Sequence, residues 1–201
     1  ASRAKKRRRN KAMVIGVTGT NGSGKGAVVE YLVSNKGFSR YSARTVILEE
    51  IRNRHLPETK SNMREVANDL RREHGAAYVI ERLYEMAKDD AKAVVESIRT
   101  IGEAEFLKEQ KAIILAVDAD RRLRYERVAN KKGFELAHIS FEDFCEIEDR
   151  EMASSEPWDM NVFGVMQLAD SRIQNSGTLE ELHHAVDQAL MQVTREISSD
   201  S

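Results

Sequence analysis

The chain is poor in the residues that staple or punctuate a small secreted fold. Its 201 residues include one cysteine, two prolines, one tryptophan and only 6% aromatics. A lone Cys145 rules out an internal disulfide framework and has no partner cysteine for a thiolate metal site. No apolar run approaches the roughly 20 residues needed to cross a bilayer as a helix, and no signal-like stretch opens the sequence. A single reduced, cytoplasmic domain with no membrane partner is therefore expected. The histidines offer no metal site either, since His183 and His184 are adjacent on the polar side of the last helical pattern.

Charge of one sign is missing where it matters. Seven of the 32 Lys and Arg residues fall within residues 1–11 (Arg3, Lys5, Lys6, Arg7, Arg8, Arg9, Lys11), so the remainder carries 25 cations against 33 acids, a net −8. A block of like charge repels itself and buries no apolar surface, so residues 1–11 are expected to be a basic disordered tail. Three readings stay open for it: a solvated or cloning-derived tail, a nuclear-import signal, or an arm for nucleic acid. The acidic body adds nothing to the third, so a nucleic-acid partner is open only through the tail, as is a nuclear location. The sequence leaves the oligomeric state unknown.

What is present is an alternation of strands and helices. Met13–Thr18 is a short β-branched apolar run suited to a strand buried on both faces. Further strands are expected near Gly37–Tyr41, at Lys92–Glu96, at Ala112–Val117 and at Asp170–Gln174. Helical spacing joins Val28, Val29, Leu32 and Val33, then Val46, Ile47 and Ile51, then Val66 and Leu70 behind a Ser61 or Asn62 cap. It continues through Val79, Leu83 and Met86, over residues 102–110, and through Leu179, Leu182, Val186, Leu190 and Val193 behind a Thr178–Glu181 capping box. Such alternation calls for an α/β three-layer fold: a mainly parallel sheet with helices on both faces. The folded unit spans residues 12–197.

The segment Gly19-Thr20-Asn21-Gly22-Ser23-Gly24-Lys25 lies between the first strand and the first helix, the setting that gives a phosphate-binding P-loop its meaning. Small residues let consecutive N–H groups turn inward around a polyphosphate, and the helix N-terminus adds its positive end. Lys25 supplies a mobile charge for the transferring phosphoryl group. Gly19 through Ala27 are thus the candidate nucleotide-binding residues. Gly26 stands where the common pattern has the Ser or Thr that holds Mg²⁺, and Ala27 also lacks a hydroxyl. Magnesium would then rest on phosphates, water and a carboxylate.

Carboxyl ends of parallel strands gather functional groups, which puts Glu96 and Asp118 on the working edge. Glu96, three residues before Arg99, is the preferred carboxylate for the metal's water shell; Asp118 reads more simply as a helix cap. Arg121, Arg124 and Arg127 recur every third residue on one helix face, and Arg124 and Arg127 are the candidate stabilisers of transfer. Residues 131–160, polar and acidic with a helical stretch from Phe141 to Met152, read either as a lid that excludes water or as a passive surface pair.

The phosphate loop, Glu65–Gly75, Glu96-Ser97-Ile98-Arg99, Ala169-Asp170 and Gly177–Leu182 together resemble the adenylate-kinase-like and dephospho-CoA-kinase-like P-loop proteins. The likeness is strongest to an archaeal nucleotide-kinase-like branch and to the kinase-like domain before some dCMP deaminases. It implies a P-loop NTPase fold with a five-stranded parallel sheet, the loop strand between the third and fourth strands, and a small lid before the fifth. It also implies ATP with Mg²⁺ and arginine-mediated binding of a small nucleotide-like acceptor. Where the branch shows Asp-Gly-Ile-Arg, this chain has Glu96-Ser97-Ile98-Arg99. Dephospho-CoA kinases carry an acid after the second strand, whereas Tyr41–Thr45 has none. Arg44 there, with Arg99, suits an acceptor that is itself a phosphate and needs little general-base help. A nucleoside monophosphate kinase is the expected activity, with dephospho-CoA-kinase-like transfer or a non-catalytic nucleotide-responsive module as the alternatives.

Overall fold

The computed structural model describes residues 12–131 and 138–199, with side chains up to residue 195. The basic tail expected at 1–11, and residues 132–137 of the expected lid, lie outside the described residues.

Continuous apolarity at the three central strand positions buries the middle of the sheet on both faces, while the two edge strands are polar and more exposed. Strand β1 (Met13–Gly19) is followed by α1 (Lys25–Lys36), β2 (Ser39–Ser42), α2 (Ala43–Asn53), α3 (Lys60–His74) and α4 (Tyr78–Ala87). Then come β3 (Lys92–Glu96), α5 (Ile101–Glu109), β4 (Ile113–Asp118), α6 (Arg121–Ala129), α7 (Phe141–Met152), α8 (Val162–Gln167), β5 (Ser171–Gln174) and α9 (Leu179–Ser199). All pairings are parallel in the order β2-β3-β1-β4-β5, which sets the loop strand between β3 and β4 as the resemblance implied.

The period of two in the strands divides the core. Val14, Ala93, Val95 and Ile114 pack against α2 to α5, whereas Ile15, Val17, Val94, Leu115 and Val117 pack against α1 and α9. Gly16 belongs to the first face, and its missing side chain matters: a Cβ there would stand 2.4 Å from Ile98 Cδ1 and 2.9 Å from Leu107 Cδ1. Ile98 can therefore press against β1 and bring the turn after β3 with it. Thr18 Oγ1 donates to Ile98 O (2.9 Å) and Ser97 N–H to Val17 O (3.1 Å).

Several local expectations shift. Helix α3 is capped by Thr59, whose side chain accepts from Asn62 N, in place of Ser61 or Asn62. Met86 and Leu179 are exposed, because the buried stripes run through Ile80, Leu83 and Ala87 and through Leu182, Val186, Ala189 and Val193. Asp170 stands just before β5; its carboxylate accepts from Ile114 N–H and Lys108 Nζ. The six-residue α8 has no counterpart in the sequence pattern; it is capped by Asn161, which accepts from Gly164 N–H (2.8 Å). His183 stacks on Tyr31, ring centroids 4.0 Å apart, instead of facing solvent.

A charged pair between Arg71 of α3 and Glu103 of α5 is almost fully buried. Arg71 donates through Nε and Nη2 to Glu103 Oε1 at 2.8 Å, while Glu103 Oε2 accepts from the backbone N–H groups of Arg99 and Thr100. Glu103 thereby ties α3 to the start of α5 and fixes the backbone of Arg99. Removing one partner of such a pair strands the other charge. Glu103→Ala should lower unfolding stability by about 3–5 kcal/mol in urea denaturation, and the added change Arg71→Met should return part of that loss.

Candidate active site

Three glycines allow the main chain to close around a small anion. Gly19, Gly22 and Gly24 all have positive φ, at 140°, 76° and 98°. A Cβ on each would meet Val117 O at 2.0 Å, Arg124 O at 2.4 Å and Asn175 Nδ2 at 2.2 Å. The loop is therefore pressed against β4, α6 and the turn after β5, and only glycine fits at those points. Gly26, by contrast, has nothing within 4 Å of a built Cβ. Asn175 donates to Ser23 O (2.8 Å) and bonds through its own N–H to Asp118 O (2.7 Å), and so buttresses the loop from the turn after β5.

Lys25 lies at the mouth of this cradle. Its ammonium donates to Gly19 O (2.9 Å) and Thr20 O (2.6 Å). Burial, reinforced by the nearby Arg99 and Arg124 charges and opposed by Glu151 and Glu148, brings its pKa from 10.5 down to about 7. An amine with its pKa lowered this way takes up a proton when an anion arrives and favours the charged form.

Asp118, ranked second on sequence grounds, sits at the loop. Its carboxylate accepts from Thr20 Oγ1 (2.8 Å) and Ala119 N–H (2.9 Å) and lies 3.5 Å from Arg124 Nε. Arg124 is buried and heavily committed: Nε donates to Ala119 O, Nη1 to Asn21 O, and both Nη atoms to Glu148. Arg121 pairs with Glu148 and Asp149. Arg127 is half-buried, with Nη1 sequestered and without a hydrogen-bond partner among the described residues.

Glu96 closes β3 at the working edge, paired in register with Val17 of β1. Its carboxylate is held by both oxygens to Arg40 Nη2, at 2.9 and 3.0 Å. Ser97, in the glycine position of the related motif, is forced to φ 71°. Arg99 is half-buried, and close enough to Lys25 for their charges to repel. Arg44 is exposed in the first turn of α2.

Helix α7 brings the residues that sequence reading passed over. Glu148 and Glu151 are both buried, the first on Arg124 and Arg121, the second accepting from Asn21 Nδ2 at 2.8 Å. The segment after α7 is fastened to α3, with Asp159 accepting from Arg64 (2.7 and 3.0 Å) and Asn68 (3.0 Å), and Arg72 lying over the Trp158 ring. The region expected as a lid thus bridges the phosphate loop and α3.

The donors suit a hard cation that keeps several waters: Glu96 and Asp118 flank β1 from β3 and β4. Among the described residues no group of three or more His, Cys, Asp and Glu gathers as a dedicated metal cage. No helix among them is long and apolar enough to cross a membrane.

A family model described as an AAA domain matches residues 18–140, which span the phosphate loop to the end of α6 and beyond. A UPF0200 protein of Hyperthermus butylicus is 31% identical over 185 residues, covering 90% of this chain and 95% of the relative. The chain belongs to the UPF0200 family. A second UPF0200 protein, from Aeropyrum pernix, is 31% identical over 172 residues, 85% of this chain and 88% of its own length. Among solved structures, shikimate kinase from Bacteroides thetaiotaomicron superposes with a TM-score of 0.61 at 10% identity, covering 90% of this chain and 98% of that one. A gluconokinase from Sinorhizobium meliloti gives 0.60 at 14%, covering 96% and 99%. This UPF0200 chain therefore has the fold of P-loop kinases, and the expected kinship with an archaeal branch agrees with its relatives.

Two outcomes follow from the strained and desolvated groups. Because folding lowers the Lys25 pKa, the unfolded chain holds the extra proton between about pH 7 and 10.5, so this group's contribution to stability rises with pH across that window. An anion in the cradle reverses the shift: at pH 8, calorimetry in buffers of different ionisation enthalpy should register proton uptake on binding a triphosphate, absent in Lys25→Met. Ser97→Gly should raise stability by about 1 kcal/mol, read from denaturant midpoints.

Proposed function

We propose that this protein is an ATP-dependent phosphotransferase of the adenylate-kinase-like and dephospho-CoA-kinase-like kind, moving the γ-phosphoryl group to a small nucleotide-type acceptor, with a nucleoside monophosphate favoured. The observation that carries the reading is the glycine-built cradle closed by Lys25, with Arg99 and Arg124 near enough to perturb its charge.

In this mechanism the amides of Thr20 to Lys25 and the N-terminus of α1 hold the β- and γ-phosphates. Lys25 leaves the carbonyls of Gly19 and Thr20 for phosphate oxygens and follows the charge through transfer. Arg127, with a donor to spare, and Arg124, once released from Glu148, neutralise the transferring group. Arg99, with Arg44 at the rim, holds the acceptor in line. Glu96, on giving up Arg40, would hold the water shell of a bound Mg²⁺, which would supply further neutralisation of phosphate charge. The α7 region, acting as a lid, keeps water from competing as acceptor. An acceptor that brings its own phosphate oxygen needs no base, in keeping with the absence of an acid in Tyr41–Thr45.

A second reading is favoured by one specific feature: Gly26 and Ala27 offer no hydroxyl to a metal, and Glu96 is occupied. On that reading the chain binds nucleotide as a signal and transfers nothing.

Incubation with ATP, Mg²⁺ and a panel of nucleoside monophosphates and dephospho-CoA separates the two. The kinase reading expects a phosphorylated product from at least one acceptor, with kcat reduced about 10²–10³-fold in Lys25→Met. ATP binding by calorimetry with no product from any acceptor would establish the module instead.

A further inference from the structure

Several cationic and amide donors converge on one carboxylate at the inner end of α7. Glu151 Oε2 accepts from Asn21 Nδ2 (2.8 Å) and lies 3.9 Å from Arg99 Nη1; Oε1 lies 3.5 Å from Lys60 Nζ. The Glu151 charge also reaches Lys25. These groups come from four places: the phosphate loop, the turn after β3, the first turn of α3, and α7 itself.

The fit between Glu151 and its neighbours is incomplete. Arg99 Nη1 is shut off from solvent and has no hydrogen-bond partner among the described residues. A separation of 3.9 Å is beyond hydrogen-bond range, so Glu151 attracts that guanidinium without satisfying it. The buried Arg71–Glu103 pair shows the contrast, since there both guanidinium contacts close to 2.8 Å. Oε2 is drawn to Asn21 and Oε1 toward Lys60, and in that position neither oxygen comes within hydrogen-bond range of Arg99. A phosphate monoester brings three terminal oxygens and nearly twice the charge, enough for an arginine fork and an ammonium together.

We propose that Lys60, Arg99 and the Asn21 amide form the seat of the acceptor's phosphate, and that the Glu151 carboxylate is its built-in occupant, which the acceptor must displace to bind. This rests on the phosphotransferase reading and deepens it. Glu151 acts as a charge filter: a dianionic group outcompetes the carboxylate for these donors, whereas a neutral hydroxyl compound meets cations already neutralised. Displacing Glu151 also frees α7 from the phosphate loop at Asn21, which couples arrival of the acceptor to rearrangement over the donor.

The probe is inorganic phosphate, titrated calorimetrically into the full chain saturated with Mg²⁺ and a non-hydrolysable ATP analogue. Glu151→Gln keeps an oxygen for Asn21 and removes the charge, so phosphate should bind at least about tenfold more tightly than to the unaltered chain. That gain should disappear when Lys60→Gln or Arg99→Gln is added. Equal or weaker phosphate binding in a folded Glu151→Gln protein overturns the proposal, as does a gain that survives loss of both Lys60 and Arg99. Should Glu151→Gln fail to fold, Lys60→Gln alone carries the test: phosphate affinity falls several-fold, and unchanged affinity overturns the proposal. Failure of the phosphotransferase reading shows in turnover, whereas failure of the seat shows in phosphate affinity with ATP binding intact.

Discussion

A desolvated ammonium facing two main-chain carbonyls sets the terms for everything around it. Lys25 cannot be placed inside the loop without cost, and the cost is divided among neighbours of both signs: Arg99 and Arg124 press against its charge, while Glu151 and Glu148 relieve it. The glycines that let the loop close also bring β4, α6 and the turn after β5 into van der Waals range. Sheet, loop and flanking helices are thus one mechanical unit, and the cations of the site are held in place by that unit and not by chance exposure on a surface.

Much of this architecture could be read from residue order. The central strands β1, β3 and β4 were legible because both faces are buried, so their apolar runs are continuous; the Lys92–Glu96 strand came out with the boundaries seen here. The phosphate loop was legible because its glycines sit between a strand and a helix. Phe141–Met152 likewise emerged as a helix. What escaped notice was the face that this helix buries. Phe144, Glu148 and Glu151 follow the i, i+4, i+7 spacing of a core stripe, yet two of the three are acids, so a hydropathy pattern shows only a polar segment. The clue was an arginine series, at 121, 124 and 127, on the helix just before it.

Pairing between distant segments was the least legible layer. Nothing within residues 92–99 reveals that Glu96 meets Arg40, 56 positions earlier, or that Glu103 reaches back to Arg71. Asp118 looked like a helix cap, but α6 is capped by Asp120, which accepts from the N–H groups of Arg122 and Leu123; Asp118 instead accepts from Ala119 N–H and from the Thr20 hydroxyl, because parallel pairing draws β1 and β4 together. Such a role follows from register, which a linear pattern does not carry.

The empty space beside Gly26 changes how its missing hydroxyl should be understood. A side-chain carbon built there meets nothing within 4 Å, so crowding does not account for the omission. On the phosphotransferase reading, a divalent ion without a fixed alcohol ligand would rely on water and substrate oxygens, which are tolerant of ionic radius. Such a site would discriminate weakly between magnesium and manganese, and grafting a serine at this position would be a direct route to a more selective one.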